Sequence, residues 1–244
     1  TLRVGVTRLS TADAIDPARA STVGGYLIAR QLYDTLTEYG TDGQVAMRLA
    51  ESIEADGAAD VWIIRLREAV WHDGSPVTAD DVIHTFRRIL DPESPLPPAN
   101  SLPFMDPDGL SRVDDRTVRV ELRYPTMILP NALTSPTMAM VPQGFDPEAP
   151  IGSGPFRLES FEPGTRMAFA ANPSYWRDGL PRIEALEVVG FPDSVSAVNA
   201  LLGGQIDAAP SIDPALAPVV ERAGDRFTVF EYPTSGTLTW QMNA

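Results

Sequence analysis

The sequence predicts an α/β protein with an α+β unit inserted into its first part, and three observations carry that expectation. The last third alternates strand-like and helix-like segments, as an α/β sheet requires. The middle instead runs strand, turn, helix, loop, strand. The chain has 244 residues, 43% hydrophobic and 21% charged, enough to bury one sizeable core or two small ones and too apolar for disorder. Its 23 prolines, about twice the usual share, are spread along the chain with no low-complexity block and point to many short elements joined by stiff turns.

Residues 1–7 alternate Leu2, Val4 and Val6 with Arg3, Gly5 and Thr7, the period of a strand with one buried face. In residues 24–36, Leu27, Ile28, Leu32, Tyr33 and Leu36 recur at helical spacing, and Gly40 to Gly43 closes that segment. Residues 60–68 (DVWIIRLRE) and 117–124 (TVRVELRY) read as strands with one face to water. The strongest helix signal is residues 78–90. Thr78 caps it, Asp80 and Asp81 occupy the positive first turn, Val82, Phe86, Ile89 and Leu90 form the apolar stripe, and Pro92 ends it.

Proline and small polar residues dominate 91–109, which predicts a surface loop or cleft wall with little regular structure. Then follow strands at 166–171 and 184–191 and a helix at 194–202, with Ser194 as cap and Gly203 as stop. GQIDAA (204–209) reads as a buried strand, Asp213-Pro214 opens another helix, and 226–232 reads as a strand. No internal repeat is visible.

The charge balance, 19 basic against 33 acidic residues, gives a net charge of −14, which repels a phosphate backbone or an anionic lipid face. All basic residues are arginine, a compositional bias without functional weight. With no cysteine, disulfides, zinc-thiolate sites, iron–sulfur clusters and cysteine nucleophiles are excluded, while the redox compartment stays open. No apolar run approaches the roughly 20 residues of a membrane span. The chain opens directly on a strand, which reads as a product whose signal peptide has been removed.

Conventional catalytic motifs are missing. His72 lies in a Trp-His-Asp-Gly turn and His84 on a helix face off the apolar stripe, so both read as structural or surface residues. Ile151-Gly152-Ser153-Gly154-Pro155-Phe156 matches neither a dinucleotide loop nor a nucleophile elbow and reads as a tight crossing between structural units. Asp106 and Asp108 lack the other ligands of a calcium loop. The pairs Asp80-Asp81 and Asp114-Asp115 are explained by helix and turn starts, and core packing accounts for most of Trp62, Trp71, Trp176 and Trp240.

Several strings together resemble one family, the extracellular solute-binding proteins of ABC importers, in the branch (family 5) that includes oligopeptide-, dipeptide- and nickel-binding members. They are Asp16-Pro17 with Leu32-Tyr33-Asp34-Thr35-Leu36, Asp42-Gly43 with Leu49-Ala50-Glu51-Ser52, and above all Leu66-Arg67-Glu68 through Trp71-His72-Asp73-Gly74-Ser75-Pro76-Val77-Thr78-Ala79-Asp80-Asp81-Val82. Gly152-Ser153-Gly154-Pro155-Phe156, Asn172-Pro173 with Tyr175-Trp176, and Gly204-Gln205-Ile206-Asp207 follow in the family's order.

The resemblance implies a type II periplasmic-binding-protein-like lobe, a mixed sheet flanked by helices, whose core is 1–40 with 151–244 and whose inserted subdomain is 41–150. Family members run on into a second lobe after the strand that here reads LTWQMN (238–243). The expectation is therefore a first lobe alone, an engineered domain or a fragment. It also implies a non-enzymatic, cofactor-free and metal-free binding protein, periplasmic or extracellular, monomeric, with no nucleic-acid partner and no membrane contact except through a lipid anchor or the permease. A peptide or similar small polar solute would sit between lobes and pass to the permease subunits. The ligand-binding candidates so implied are Ser21, Thr22, Val23, Gly24 and Gly25 after Asp-Pro, Ser135 and Met138 at the end of the subdomain, and Ser235, Gly236, Thr237 and Trp240. The alternatives are a solute-sensing domain of a transcription regulator, or nickel-chelate or oligosaccharide binding on the same scaffold.

Overall fold

Residues 1–224 and 226–230 are described by the computed structural model. Strand β1 (Leu2–Thr7) follows its alternation and lies parallel to β10 (Ala185–Phe191), with Leu2 opposite Leu186 and Thr7 opposite Phe191. β10 pairs antiparallel with β9 (Arg166–Ala171), and β9 with β8 (Phe156–Glu162), giving the order β1-β10-β9-β8. A second four-stranded sheet, β4-β5-β7-β6, is antiparallel throughout. It contains β4 (Ala50–Ala55), β5 (Val61–Leu66), β6 (Met105–Asp114) and β7 (Thr117–Leu122). The short strands β2 (Thr37–Tyr39) and β3 (Val45–Met47) form a hairpin of their own.

Two large cores result. One packs helix α2 (Ala79–Ile89) on the second sheet around Trp62, Ile64, Trp71, Phe86 and Phe104, all at most 2% exposed. The other packs helix α1 (Val23–Leu32) on the first sheet around Ile28, Tyr33, Met167 and Phe169. A smaller cluster joins helix α4 (Ser194–Leu202) to α5 (Ala217–Glu221) through Val198, Leu201, Ile206 and Val220. A one-turn helix, α3 (Leu129–Ala132), lies beside β2.

Helix α2 starts as the sequence predicts. Buried Asp81 accepts from the Thr78 N–H and hydroxyl, both at 2.9 Å, from Trp71 Nε1 at 3.2 Å and from the Gln143 N–H at 3.1 Å. Such bonds to a buried carboxylate contribute about 1.5–3 kcal/mol each when made and expose the donors' desolvation cost when lost. Asp81→Ala should therefore lower the unfolding free energy by about 3 kcal/mol, measured by urea denaturation; a loss below about 1 kcal/mol would show that α2 is fixed by its apolar face alone.

Several expectations are corrected. The helix of 24–36 stops at Leu32, where Tyr33 turns extended with ψ 156, because the Leu32 carbonyl is taken by the Gly154 N–H at 2.8 Å. The 91–109 stretch is not structureless: a 3-10 turn spans Pro97–Ser101, and β6 begins at Met105. The ladder from β7 captures it, with a register shift between Met105 and Leu110 absorbing the proline and glycine. Asp193 rather than Ser194 caps α4, accepting the Ser196 N–H at 2.7 Å. GQIDAA reduces to one parallel bridge, Val4 to Ala208, because Pro210 offers no further donor. Asp213-Pro214 opens a 3-10 turn that runs into α5. Residues 226–230 form no strand, and 231–232 lie outside the described residues.

Candidate functional site

In an α/β sheet ligands gather beyond the carboxyl ends of the parallel strands. Here those ends are Thr7 of β1 and Phe191 of β10, and the residues just past them line an open cleft of about 400 Å³ with Thr7, Arg8, Asp193, Ser194, Val195 and Asp213 on its walls. Arg8 takes a positive φ of 71°. From it the chain turns through Ser10 and Asp13 to the start of α1. Asp13 is 6% exposed and holds both ends of that turn, accepting the Ser10 N–H at 3.0 Å and the Thr22 hydroxyl at 2.5 Å.

Of the residues singled out from sequence, Ser21 and Val23 are exposed at the head of α1. Thr22 is its N-cap, accepting the Gly25 N–H at 3.1 Å. Gly24 and Gly25 are buried, and the close approach that Gly24 permits is to Asp13: a Cβ there would lie 2.0 Å from the carboxylate. Ser135 starts the 3-10 turn Pro136–Met138, which packs against α1 and against the turn Pro17–Arg19, so these two stretches, remote in sequence, are neighbours. Met138 is 1% exposed inside the larger core. Ser235, Gly236, Thr237 and Trp240 lie outside the described residues.

Sequence reading missed the main polar centre. Asp34 has no exposed surface and accepts from Arg48 Nε at 2.5 Å, Ser153 Oγ at 3.3 Å, Tyr175 OH at 3.1 Å and Trp176 Nε1 at 3.0 Å. Arg48 also reaches Glu38 at 3.3 Å, Glu38 pairs with Arg177, and Arg177 and Arg67 lie over the Trp176 ring at 4.6 and 4.1 Å. Burial works most strongly against the Arg48 charge, yet Asp34, Tyr175 and Glu38 together outweigh it and raise its pKa; burial, then Asp34, raises that of Tyr175. This network is structural and ties β3, the 151–154 crossing and the 172–177 turn to the end of α1. A second cleft, about 440 Å³, lies between the Trp71–Thr78 turn and residues 142–151, with Asp73, Thr78, Phe145 and Asp146 among its walls.

His72 is the clamp of the crossing. Its Nδ1 accepts the Gly152 N–H at 3.2 Å and its Nε2 faces the Gly154 carbonyl at 3.1 Å, an arrangement that suits a neutral ring protonated on Nε2. Burial first, and Arg157 as well, push its pKa down to about 4, against the opposing pull of the Gly154 bond and Asp73. A depressed histidine pKa gives stability that is complete above about 6.5 and is lost as pH falls toward 4. The wild-type chain should lose about 3 kcal/mol more over that window than His72→Gln, by urea midpoints at each pH. Parallel profiles would remove His72 from the acid sensitivity.

The clefted edge beyond a mixed sheet, with a second sheet-and-helix layer beside it, is the fold of type II periplasmic binding proteins. Solved structures agree: the binding protein AgaA of A. tumefaciens R10 in complex with agropinic acid superposes with a TM-score of 0.79 at 28% identity, over 91% of this chain and 46% of that one. NikZ of Campylobacter jejuni in complex with Ni(L-His) shares the fold with a TM-score of 0.81 at 24% identity, over 91% and 45%. The model of bacterial extracellular solute-binding proteins, family 5, matches residues 44–244, and the chain belongs to that family. Among curated relatives, the periplasmic oligopeptide-binding protein OppA of Escherichia coli K12 is 26% identical over 223 residues, 81% of this chain and 41% of that protein. The peptidoglycan-binding protein YepA of Agrobacterium fabrum is 30% identical over 203 residues, 75% and 32%. The chain thus spans less than half the length of these relatives. No helix among the described residues is long and apolar enough to cross a membrane.

Proposed function

We propose that this chain is part of the substrate-binding component of an ABC importer, taking up peptides or a similar small polar solute in a cleft between lobes and presenting it to the permease. The observation that carries this reading is the family 5 match over residues 44–244 on a chain whose parallel strands end in an open cleft. Half of an enclosing site is exposed here, and closure by a partner lobe would expel water and strengthen each polar contact. The same reading places the protein outside the inner membrane, in the periplasm or held by a lipid anchor, as a monomer and without catalysis. It divides the chain into a core of 1–40 with 151–244 and a subdomain of 41–150. Support for that division is that every strand of the β1-β10-β9-β8 sheet comes from the former and every strand of the β4-β5-β7-β6 sheet from the latter. Ser21 to Gly25 and Ser135 belong to the proposed ligand-facing surface, the buried glycines through backbone placement.

Calorimetry of the full-length gene product against peptide, opine, sugar and nickel-chelate panels tests the reading. Binding at micromolar or tighter affinity to peptides, with this 244-residue stretch alone binding at least 100-fold more weakly, is the expected result. Exclusive sugar or nickel-chelate binding would replace the peptide by that class, and equal affinity of the two proteins would overturn enclosure between lobes. A second reading, an opine in place of a peptide, is favoured by the agropinic acid held by the AgaA structure at 28% identity.

A further inference from the structure

We propose that Arg8 is an anchor for a carboxylate of the bound solute, on the wall of the cleft beyond β1 and β10. This rests on the solute-binding reading above and adds to it the residue and the ligand group.

Three features converge on Arg8. First, it is the residue immediately after β1, on the edge where parallel strands deliver side chains to a ligand, and it lines the cleft of about 400 Å³. Second, its charge is unspent. Ten of the 19 arginines sit in ion pairs among the described residues, and Arg8, which is exposed, is among the nine in none of these. It stays unpaired although two carboxylates line the same cleft, because both are engaged elsewhere: Asp193 caps α4 through the Ser196 N–H at 2.7 Å, and Asp213 accepts the Ala215 N–H at 2.9 Å. Third, its φ of 71° lies where a glycine or asparagine would sit with less strain, so an arginine is held there against its backbone preference.

The same geometry selects the anion. The planar guanidinium fork matches a carboxylate through two parallel N–H donors. Asp193 and Asp213, which line the same cleft, oppose a dianion such as a phosphate monoester more than a monoanion. A terminal or side-chain carboxylate therefore fits, while a neutral sugar lacks the charge that the guanidinium pairs with.

The test uses the full-length gene product, a library of two- to five-residue peptides with free carboxyl termini, and the same library C-terminally amidated. Arg8→Gly should weaken binding of the free-carboxyl library at least tenfold while leaving the thermal midpoint unchanged or higher, since glycine relieves the backbone. It should change binding of the amidated library less than twofold. Arg8→Lys should recover part of the loss. If Arg8→Gly binds free-carboxyl peptides as tightly as wild type, the anchor is wrong and the solute-binding reading stands. Equal losses for both libraries would make Arg8 a fold element and also overturn the anchor. If wild type binds neither library, the peptide reading and the anchor fall together.

Discussion

Asp34→Ala is expected to lower the unfolding free energy of this chain by about 4 kcal/mol, a fall in Tm of roughly 10 °C. The carboxylate is fully buried and is the shared acceptor of Arg48, Ser153, Tyr175 and Trp176. Alanine would leave the Arg48 guanidinium, 10% exposed, with only Glu38 at 3.3 Å to balance it. Breaking one side of a buried pair costs about 3–5 kcal/mol because the surviving charge stays desolvated. Three neutral donors would also lose their partner, which adds to the cost. Asp34→Asn keeps one carbonyl oxygen and should fall between alanine and wild type. Urea denaturation followed by tryptophan fluorescence reads the effect directly, since Trp176 is one of the donors. A cost under 1 kcal/mol for alanine would mean that water replaces the carboxylate and that the hub does not hold the layers together.

The hub also shows where sequence reading ends. The strongest local patterns gave their elements with little error: α2 with its Thr78 cap, β5, β7, β9 and the body of α4. Those that failed break their own period. β8 carries a bulge between Leu158 and Ser160 and β4 another between Ala50 and Ser52, so neither alternates, and β6 contains Pro107 and Gly109. Strand β6 exists because β7 offers an unpaired edge, which is tertiary information. In the same way Asp34 meets Ser153, Tyr175 and Trp176 across 119, 141 and 142 residues of chain, separations that no window on the sequence can see. The resemblance did single out Leu-Tyr-Asp-Thr-Leu, Gly-Ser-Gly-Pro-Phe and Tyr-Trp as landmarks, and the fold explains why they travel together: each contributes a member of one hydrogen-bonded centre. The site was less legible: of the two glycines after Asp-Pro, offered as ligand contacts, Gly24 packs against Asp13 and Gly25 against Ala20 and the Thr22 hydroxyl. Arg8 left a weaker signal, a large charged residue at the end of a strand.

The crossing at Gly152 should tolerate substitution even less than Asp34. A Cβ at Gly152 would lie 1.8 Å from the Leu32 carbonyl oxygen, 2.7 Å from its carbon and 3.0 Å from the Tyr33 ring. The first two are backbone atoms of the last turn of α1, which cannot rotate away as a side chain would. Relief would have to pull the crossing from the helix, and with it the bonds from Gly154 N to the Leu32 carbonyl at 2.8 Å, from His72 N to the Gly152 carbonyl at 2.8 Å and from Gly152 N to His72 Nδ1 at 3.2 Å. Overpacking alone costs about 1–3 kcal/mol, and the lost bonds add about 1 kcal/mol each, so Gly152→Ala should cost about 5 kcal/mol, enough to unfold a marginally stable chain. Gly57→Ala is the control. It has nothing within 4 Å of its Cβ and no positive φ, so the same added methyl should change stability by less than about 0.5 kcal/mol or raise it slightly by restricting the unfolded chain. Urea midpoints for the two variants side by side separate packing from chain entropy. A Gly152→Ala variant as stable as Gly57→Ala would show that the α1 turn and the crossing can part without cost, and that the His72 clamp does not hold them.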